Sequence, residues 1–505
     1  MRPRTGIALL LLGLLAVLAY APSLTLPLME DDYPNLAQTL NSGLATPLAD
    51  PIFRVRATSY GLMWLLWRWA GVAPLKYHVA SLLLHIANTW LLYGVCVAWP
   101  RMRAAAFWAA GFFAVAEGHQ EAVMWFSAVN ELWLFLFGMG ALLCFLRRRT
   151  LAGVALFAMA LLSKESAAAV LPLFLLVTPA AEWRGAVVRQ IVRLAPYALL
   201  AAVAVASVFA TRSYSFRFSD GSFSLHAPFW ITWPHSYFRI LWIWGLVAGA
   251  SIPAARDGAL RRSALVALAW IGIALAPYSF LTYSTAIPSR QTYLASAGLA
   301  MLFGLTMAWW WEKLRMRRRW LVALVALVVA HNVGYLWFRK RPQFLARAEP
   351  TVQLIALARR TPGPIWMRCF PGIPYGAEEA VHLAAGYAPG NLIWTREEAE
   401  RRHPTAVFCF EKEQGGPQFR QVPVALLGRS IEGRLLCLRR SLSTAAGAPQ
   451  SEPIPDLKFG DLRLSHRSPQ ALAGIAGNCH GSLPKIASCL VPAEIKNELH
   501  LPHGL

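Results

Sequence analysis

Charged side chains are scarce in this sequence of 505 residues. Asp, Glu, Lys and Arg make up 15% of it, whereas a soluble domain usually carries about a quarter. Hydrophobic residues make up 56%, and Trp occurs 21 times, as is typical where indoles sit at membrane interfaces. The shortage of charge therefore excludes an ordinary soluble protein and predicts a protein embedded in a membrane.

Acidic residues are scarcer than basic ones, with 26 Asp and Glu against 48 Lys and Arg. In a soluble protein such an excess would suggest a nucleic-acid partner. Here the cations form short clusters between apolar runs, as in cytoplasmic loops that follow the positive-inside rule, so we expect no nucleic-acid partner. The clusters are Arg2 with Arg4, Arg101 with Arg103, Arg147–Arg149, Arg184–Arg193, Arg256–Arg262 and Lys313–Arg319.

Cysteine is also sparse, with seven copies and no CxxC or metal-binding spacing. Cys96 and Cys144 lie in apolar runs, where we expect them to be packing residues. The other five lie from Cys369 onward, where a disulfide is allowed outside the cytoplasm but no pairing is specified. Glycine-rich phosphate loops and internal repeats are absent as well.

Apolar runs predict an all-α polytopic membrane protein with about 11 spans. The first run could instead be a signal peptide, because Ala19-Tyr20-Ala21 resembles a cleavage site, but the run continues beyond it. With the amino terminus inside, each of the basic clusters named above falls on the cytoplasmic side. The segments are 6–28, 77–99, 104–117, 129–146, 151–162, 167–179, 194–210, 240–252, 263–281, 292–311 and 320–338.

Residues 151–178 decide the orientation of everything that follows them. One continuous helix there would bury Lys164 and Glu165 in lipid, at a cost of several kcal/mol, and would place the next basic cluster outside. Two half-spans that meet at residues 163–166 satisfy the positive-inside rule, because the next basic cluster then stays cytoplasmic, and they put this charged pair at the outer surface. We therefore expect a bacterial inner-membrane protein with a cytoplasmic amino terminus and a periplasmic carboxyl-terminal region.

Composition divides the chain into three parts, with a membrane domain at 1–338 and a small α/β periplasmic domain at 339–440. The last part, 441–505, is rich in Ser, Pro, Ala and Gly and predicts a poorly ordered tail. Within the first loop, the aromatic stretch Tyr60–Trp69 predicts a helix along the membrane interface. The predicted elements of the small domain are helices at 343–360 and 377–387 and strands at 364–370, 406–410 and 434–438.

Most polar residues that could do chemistry fall in predicted external loops or at the outer ends of spans. They are Glu30, Asp31, Asp32, Glu117, His119, Glu121, Lys164, Glu165 and Arg290. Alone, each also fits a structural role, such as a helix cap at Asp31 and Asp32 or an Arg290 that binds headgroups. Together, carboxylates opposed by Lys164 and Arg290 suit a phosphate-bearing lipid and a hydroxyl to be deprotonated.

Five short blocks run in the same order as in a known family. They are Asp31-Asp32, Tyr77-His78 through Asn88, His119–Val123 with Asn130-Glu131, Leu162–Ser166, and Arg290 with Tyr293, Leu294, Ser296 and Gly298. These blocks resemble the GT-C superfamily of integral-membrane glycosyltransferases, and in particular bacterial relatives of O-mannosyltransferases that carry tetratricopeptide repeats. The likeness extends to about residue 311. No such repeats follow it, and Asn130-Glu131 stands where the relatives have Arg and Asp.

The resemblance implies transfer of a sugar from a polyprenyl-phosphate donor to a protein, lipid or glycan acceptor on the periplasmic side, with inversion at the anomeric carbon. It implies Asp31 as the general base, with Asp32 as the runner-up. Glu121 would position the acceptor or hold a divalent cation, although nothing in the spacing demands a metal. The residues implied in substrate binding are Lys164 and Arg290, for the lipid phosphate, with Glu165, His119 and Tyr293.

Three other functions fit parts of the sequence. A lipid-linked sugar transporter would be expected to show internal repeats and charges at the membrane midplane, and the sequence shows neither. A non-catalytic envelope assembly protein would use the α/β domain for binding and would not require the loop acids. An O-antigen ligase or polymerase would need a large central external loop, whereas the loop at 211–239 is short.

Overall fold

The computed structural model describes residues 3–42, 56–178, 187–210, 224–249, 251–254, 257–282, 285–314, 317–413 and 416–422. Contacts between Cα atoms divide the chain into two units, residues 1–420 and 421–505. The architecture below is that of the first unit, together with the strand Gly416–Gln421, whose last residue belongs to the second. The strand predicted at 434–438 and the tail predicted at 441–505 lie outside the described residues.

Helices occupy every one of the eleven apolar segments that the sequence singles out. They form because long apolar runs can satisfy their backbone groups in lipid only within a helix. In chain order the helices are α1 (Pro3–Tyr20), α2 (Asp32–Ser42), α3 (Ala57–Ala70), α4 (Pro74–Ala98), α5 (Ala106–Val115), α6 (Gln120–Met124), α7 (Val129–Leu146), α8 (Thr150–Ser163), α9 (Val170–Val177), α10 (Val187–Ala210), α11 (Phe229–Gly249), α12 (Ser251–Ala254), α13 (Gly258–Leu275), α14 (Tyr293–Lys313) and α15 (Arg318–Gly334).

Seven helical segments of the described residues are long and apolar enough to cross a membrane. They are Thr5–Thr25, Pro74–Ala98, Phe126–Leu146, Val187–Ser207, Gly258–Tyr278, Ser289–Lys313 and Arg318–Arg360. Two shorter apolar helices, Thr150–Ser163 and Glu165–Val177, lie between the third and fourth of them. The predicted polytopic helical fold is thus confirmed, while the count of eleven spans stays a prediction.

The helical chain breaks at Lys164, as the charge pattern predicts. Helix α8 ends at Ser163, and Lys164 has extended backbone angles (φ −164°, ψ 137°). A 3₁₀ turn at Glu165–Ala169 then leads into α9. Whether α8 and α9 serve as two half-spans stays a prediction, but the break brings Lys164 out of any continuous apolar helix.

Helix α14 lies at the centre of the bundle, since every residue from Tyr293 to Met307 is buried. Two glycines let neighbouring backbones approach it closely. A Cβ on Gly298 would lie 2.7 Å from the Ala267 carbonyl oxygen, and one on Gly304 would lie 2.7 Å from the Ala109 nitrogen. This packing fixes the start of α14, which is preceded directly by the 3₁₀ turn Ser289–Thr292 that carries Arg290.

The small α/β domain begins with a helix that continues from the last span. A π-helical turn, Tyr335–Lys340, joins α15 to α16 (Arg341–Arg360), so the predicted boundary at 338 falls inside this turn. The elements that follow are β1 (Ile365–Cys369), α17 (Pro374–Ala385), β2 (Leu392–Ile393), α18 (Arg396–Arg402), β3 (Ala406–Glu413) and β4 (Gly416–Gln421). The sheet order is β2-β1-β3-β4, with β1 parallel to β2 and β3. The α/β character predicted for this region is therefore confirmed, while the predicted division into domains stays a prediction.

A disulfide joins Cys369 of β1 to Cys409 of β3. The two residues are register partners on adjacent parallel strands, and their Cα atoms lie 4.4 Å apart. Their separation of 40 residues gives no sign of the pairing, which depends on the strand register.

The small domain packs against the first loop of the membrane domain. Helix α17 lies beside α2, and a Cβ on Gly376 would be 3.7 Å from the Glu30 carbonyl oxygen and 3.8 Å from Pro34 Cγ. The loop that carries the predicted base thus lies between the bundle and the α/β domain.

Candidate active site

Asp32 joins two loops rather than pointing into open space. Its carboxylate is buried, and one oxygen accepts a hydrogen bond from the Met29 amide at 2.9 Å. The other oxygen accepts from the Ser127 amide at 2.7 Å and the Ser127 hydroxyl at 2.6 Å. Burial raises the pKa of Asp32 to about 7, and these hydrogen bonds oppose the rise. Its position fits a structural link between the first loop and the turn at 126–128.

Asp31, in contrast, is exposed and lines a cavity of about 150 Å³. Three of the residues singled out by the sequence, Asp31, Lys164 and Arg290, meet at this cavity although they are far apart in the chain. The complete lining is Asp31, Pro34, Asn35, Arg56, Trp125, Ser127, Ala128, Asn130, Lys164, Arg290 and Gln291. The cavity thus combines a carboxylate, three cations and several neutral polar groups.

Lys164 is held by a buried ion pair with Glu131 of α7, and both side chains are at most 4% exposed. The Tyr278 hydroxyl donates to the other Glu131 oxygen at 3.1 Å, and the Lys164 ammonium lies 4.8 Å from the Tyr278 ring centroid. Removing one member of such a pair costs about 3–5 kcal/mol if the other stays charged. Glu131, a point of departure from the family pattern, is therefore the counter-ion that keeps a cation at the cavity wall.

Arg290 is oriented by Glu121, which itself does not line the cavity. A Glu121 oxygen accepts from the Arg290 amide at 3.2 Å and from its guanidinium at 3.4 Å. Burial acts to raise the pKa of Glu121, but Arg290, its amide and Arg347 outweigh burial and hold that pKa below its usual value. Glu121 is therefore an ionised partner of Arg290, and a divalent cation on Glu121 would compete with this guanidinium.

His119 and Tyr293 lie in the bundle core and are not among the residues that line the cavity. His119 Nε2 is 2.6 Å from the Ser296 hydroxyl, and the Tyr293 hydroxyl is 2.7 Å from His85 Nδ1. Asn88 also donates to the Tyr293 hydroxyl, at 3.4 Å. These interhelical bonds tie α4 and the turn before α6 to the first turn of α14, which directly follows the turn that carries Arg290.

Glu165 is the first residue of the 3₁₀ turn after Lys164; it is half-buried and does not line the cavity. Among the residues that the structure describes, no group of three or more His, Cys, Asp or Glu side chains converges to hold a metal ion.

Among the cavity residues that the sequence-based site lacks are Arg56 and Trp125, and it also lacks Arg347, which lies against Trp125. Arg56 lies just before α3, and its Nε atom is buried without a hydrogen-bond partner among the described residues. Trp125 is 5% exposed, and the guanidinium carbons of Arg290 and Arg347 lie 5.0 and 5.1 Å from its ring centroid. Both Arg56 and Arg347 lie on the predicted outer side, where the positive-inside rule does not favour cations, and that departure is the signal that could have found them.

Two solved structures with a similar fold come from membrane enzymes of prokaryotes. The archaeal oligosaccharyltransferase AglB from Archaeoglobus fulgidus, in complex with an inhibitory peptide and a dolichol-phosphate, is 11% identical, with a TM-score of 0.50 over 81% of this chain and 69% of its own. ArnT from Cupriavidus metallidurans, bound to undecaprenyl phosphate, is 12% identical, with a TM-score of 0.50 over 84% of this chain and 99% of its own. No family model matches the sequence, and no match was found among curated proteins. These similarities confirm the membrane-embedded helical fold that the sequence resemblance implies.

Proposed function

We propose that this protein is a membrane glycosyltransferase that moves a sugar from a polyprenyl-phosphate donor to an acceptor hydroxyl. The observation that carries the proposal is the cavity at which exposed Asp31 meets Lys164 and Arg290. A carboxylate can take a proton from the acceptor, and cations can stabilise a departing phosphate. The two fold neighbours, solved with dolichol-phosphate and undecaprenyl phosphate, support a lipid-phosphate ligand.

The reaction in this proposal is a single displacement at the anomeric carbon. The acceptor oxygen attacks that carbon while its proton passes to Asp31, and the electrons of the broken bond go to the polyprenyl phosphate. Lys164 and Arg290 neutralise the charge that develops on the leaving group, an effect worth several kcal/mol. Because one attack replaces one leaving group, the anomeric centre is inverted.

Asp31 is preferred over its neighbour as the base because of their different surroundings. Both oxygens of Asp32 already accept hydrogen bonds from protein groups, and the side chain is sealed from solvent. Asp31 is exposed at the cavity, where an acceptor hydroxyl could reach it. In this assignment Asp32 fixes the loop and Asp31 performs the proton transfer.

The orientation we propose places the cavity and the α/β domain on the periplasmic side of a bacterial inner membrane. The Cys369–Cys409 disulfide supports this orientation, because such bonds persist in oxidising compartments. The helical run Arg318–Arg360 has 43 residues. At 1.5 Å per residue such a run is about twice as long as the bilayer core is thick, which leaves α16 room to emerge with the small domain.

The direct test is incubation of the purified protein in lipid nanodiscs with radiolabelled polyprenyl-phosphate sugars. Release of polyprenyl phosphate together with transfer of label to an envelope extract supports the proposal, and NMR of the product would show inversion. A panel of donors that bind but yield neither released lipid phosphate nor labelled product would contradict it.

A further inference from the structure

Arg347, on helix α16 of the small domain, holds the loop residue that directly precedes Asp31. Its Nε donates to one Glu30 oxygen at 3.0 Å, and its terminal nitrogen donates to the other at 2.6 Å. This is the two-pronged geometry that makes arginine–carboxylate pairs both strong and directional. The pair therefore links the α/β domain to the loop of the proposed base.

Glu30 needs such a link because of its backbone. Its φ angle is +47°, in the left-handed region, which is unfavourable for a non-glycine residue and persists only where its surroundings impose it. Two contacts restrain the residues around Asp31. Arg347 grips the Glu30 carboxylate, and the Asp32 carboxylate accepts from the Met29 amide at 2.9 Å.

An ordinary surface ion pair contributes little to stability and would have no effect on a reaction. Three features set this pair apart. Its carboxylate belongs to the strained residue, its guanidinium lies 5.1 Å from the ring of the cavity residue Trp125, and α17 packs on the same loop at Glu30. Arg347 thus contacts both the loop and a wall of the cavity.

We propose that Arg347 is a positioning residue through which the small α/β domain sets the orientation of Asp31 towards the cavity. This inference rests on the proposed function, in which Asp31 is the base. The fork of Arg347 keeps Glu30 in its left-handed conformation, and that conformation presents the next residue to the acceptor. The domain that carries Arg347 thereby becomes part of the catalytic unit.

The test compares Arg347→Lys, Glu30→Gln and the double variant in the nanodisc transfer assay, with kcat and the donor KM measured separately. Lysine keeps the positive charge but lacks the planar guanidinium group that donates to both Glu30 oxygens. We expect kcat to fall about tenfold in each single variant, the scale of one charge-assisted hydrogen bond, while the donor KM stays within about twofold. The double variant should be no worse than either single one, because both remove the same contact.

The matched control is Arg396→Lys, which weakens an arginine–carboxylate pair with Glu400 inside α18 (2.6 Å) and should leave kcat unchanged. The inference would be overturned if kcat were unchanged in Arg347→Lys, or if only the donor KM rose. It would also be overturned if the losses of the two single variants multiplied in the double variant. Asp31→Asn, run in parallel, separates the two claims. If that variant keeps full activity, the proposed base fails; if it is inactive while Arg347→Lys is fully active, only the positioning role fails.

Discussion

Replacing Glu131 with Gln should make sugar transfer fail at a lower pH than in the unaltered protein. Burial lowers the pKa of Lys164 to about 8, and the negative charge of Glu131 opposes that fall. Gln keeps the size of the side chain and an oxygen for the Tyr278 hydroxyl but removes the charge. The pKa of Lys164 should then drop further, so that at neutral pH the cavity loses one of its cations.

The magnitude follows from comparing two ways of accommodating the change. Keeping Lys164 charged without its partner would cost about 3–5 kcal/mol. Removing the proton from Lys164 costs about 1.4 kcal/mol for each unit by which its pKa in the unaltered protein, about 8, exceeds the pH. Proton loss is the cheaper route near neutral pH. Transfer that needs the Lys164 ammonium should therefore survive in acid and disappear as the pH rises through the lowered pKa.

The assay is the rate of polyprenyl-phosphate release across a pH series from mildly acidic to mildly alkaline. The alkaline limb of the profile should move down by at least about one unit in Glu131→Gln. Tyr278→Phe, which removes a hydrogen bond to Glu131 but neither charge, is the control and should leave that limb in place. An unmoved alkaline limb in Glu131→Gln would refute the role given to the ion pair.

Two other predictions concern the lipid phosphate and the topology. Arg290→Lys loses the planar fork, so we expect the KM for the lipid donor to rise about tenfold with expression unchanged; a normal donor KM would leave Arg290 with a role at the membrane surface only. Reporter fusions at Arg149 and Pro350 should report opposite sides of the membrane, cytoplasmic and periplasmic respectively, and a shared side would contradict the two half-spans at α8 and α9.

Much of the membrane architecture could be predicted from the sequence because each span is specified locally by its own apolar run. The break at Lys164 could also be predicted, since the cost of burying a charge in lipid does not depend on the rest of the fold. In the small domain the two longer helices and β1 and β3 were found, while the two-residue strand β2 was too short to give a pattern. The Cys369–Cys409 pairing was not predictable because it depends on the strand register.

The site was only partly predictable. Asp31, Lys164 and Arg290 could be grouped because the predicted topology places all three on one side of the membrane. Sequence blocks do not show how a helix is rotated, however, so they could not tell that His119 and Tyr293 lie in the core rather than at the cavity.

The partners of the site residues were the hardest to predict, because they come from distant elements. Glu131 on α7 pairs with Lys164, and Arg347 on α16 pairs with Glu30. Each pair depends on how the helices pack, which no local pattern encodes. The contacts therefore add to the predicted site the residues that hold it in place.

The role of Asp31 as the general base is tested most directly by the turnover of Asp31→Asn measured beside that of Asp32→Asn. Asn keeps the shape of the side chain but cannot take a proton. Asp31→Asn should lower kcat by at least about 100-fold, the usual scale of general-base catalysis, with an unchanged melting temperature. Asp32→Asn should instead lower the free energy of unfolding by about 1–3 kcal/mol, because one amide donor loses its acceptor. Full turnover in Asp31→Asn would show that Asp31 is not the general base.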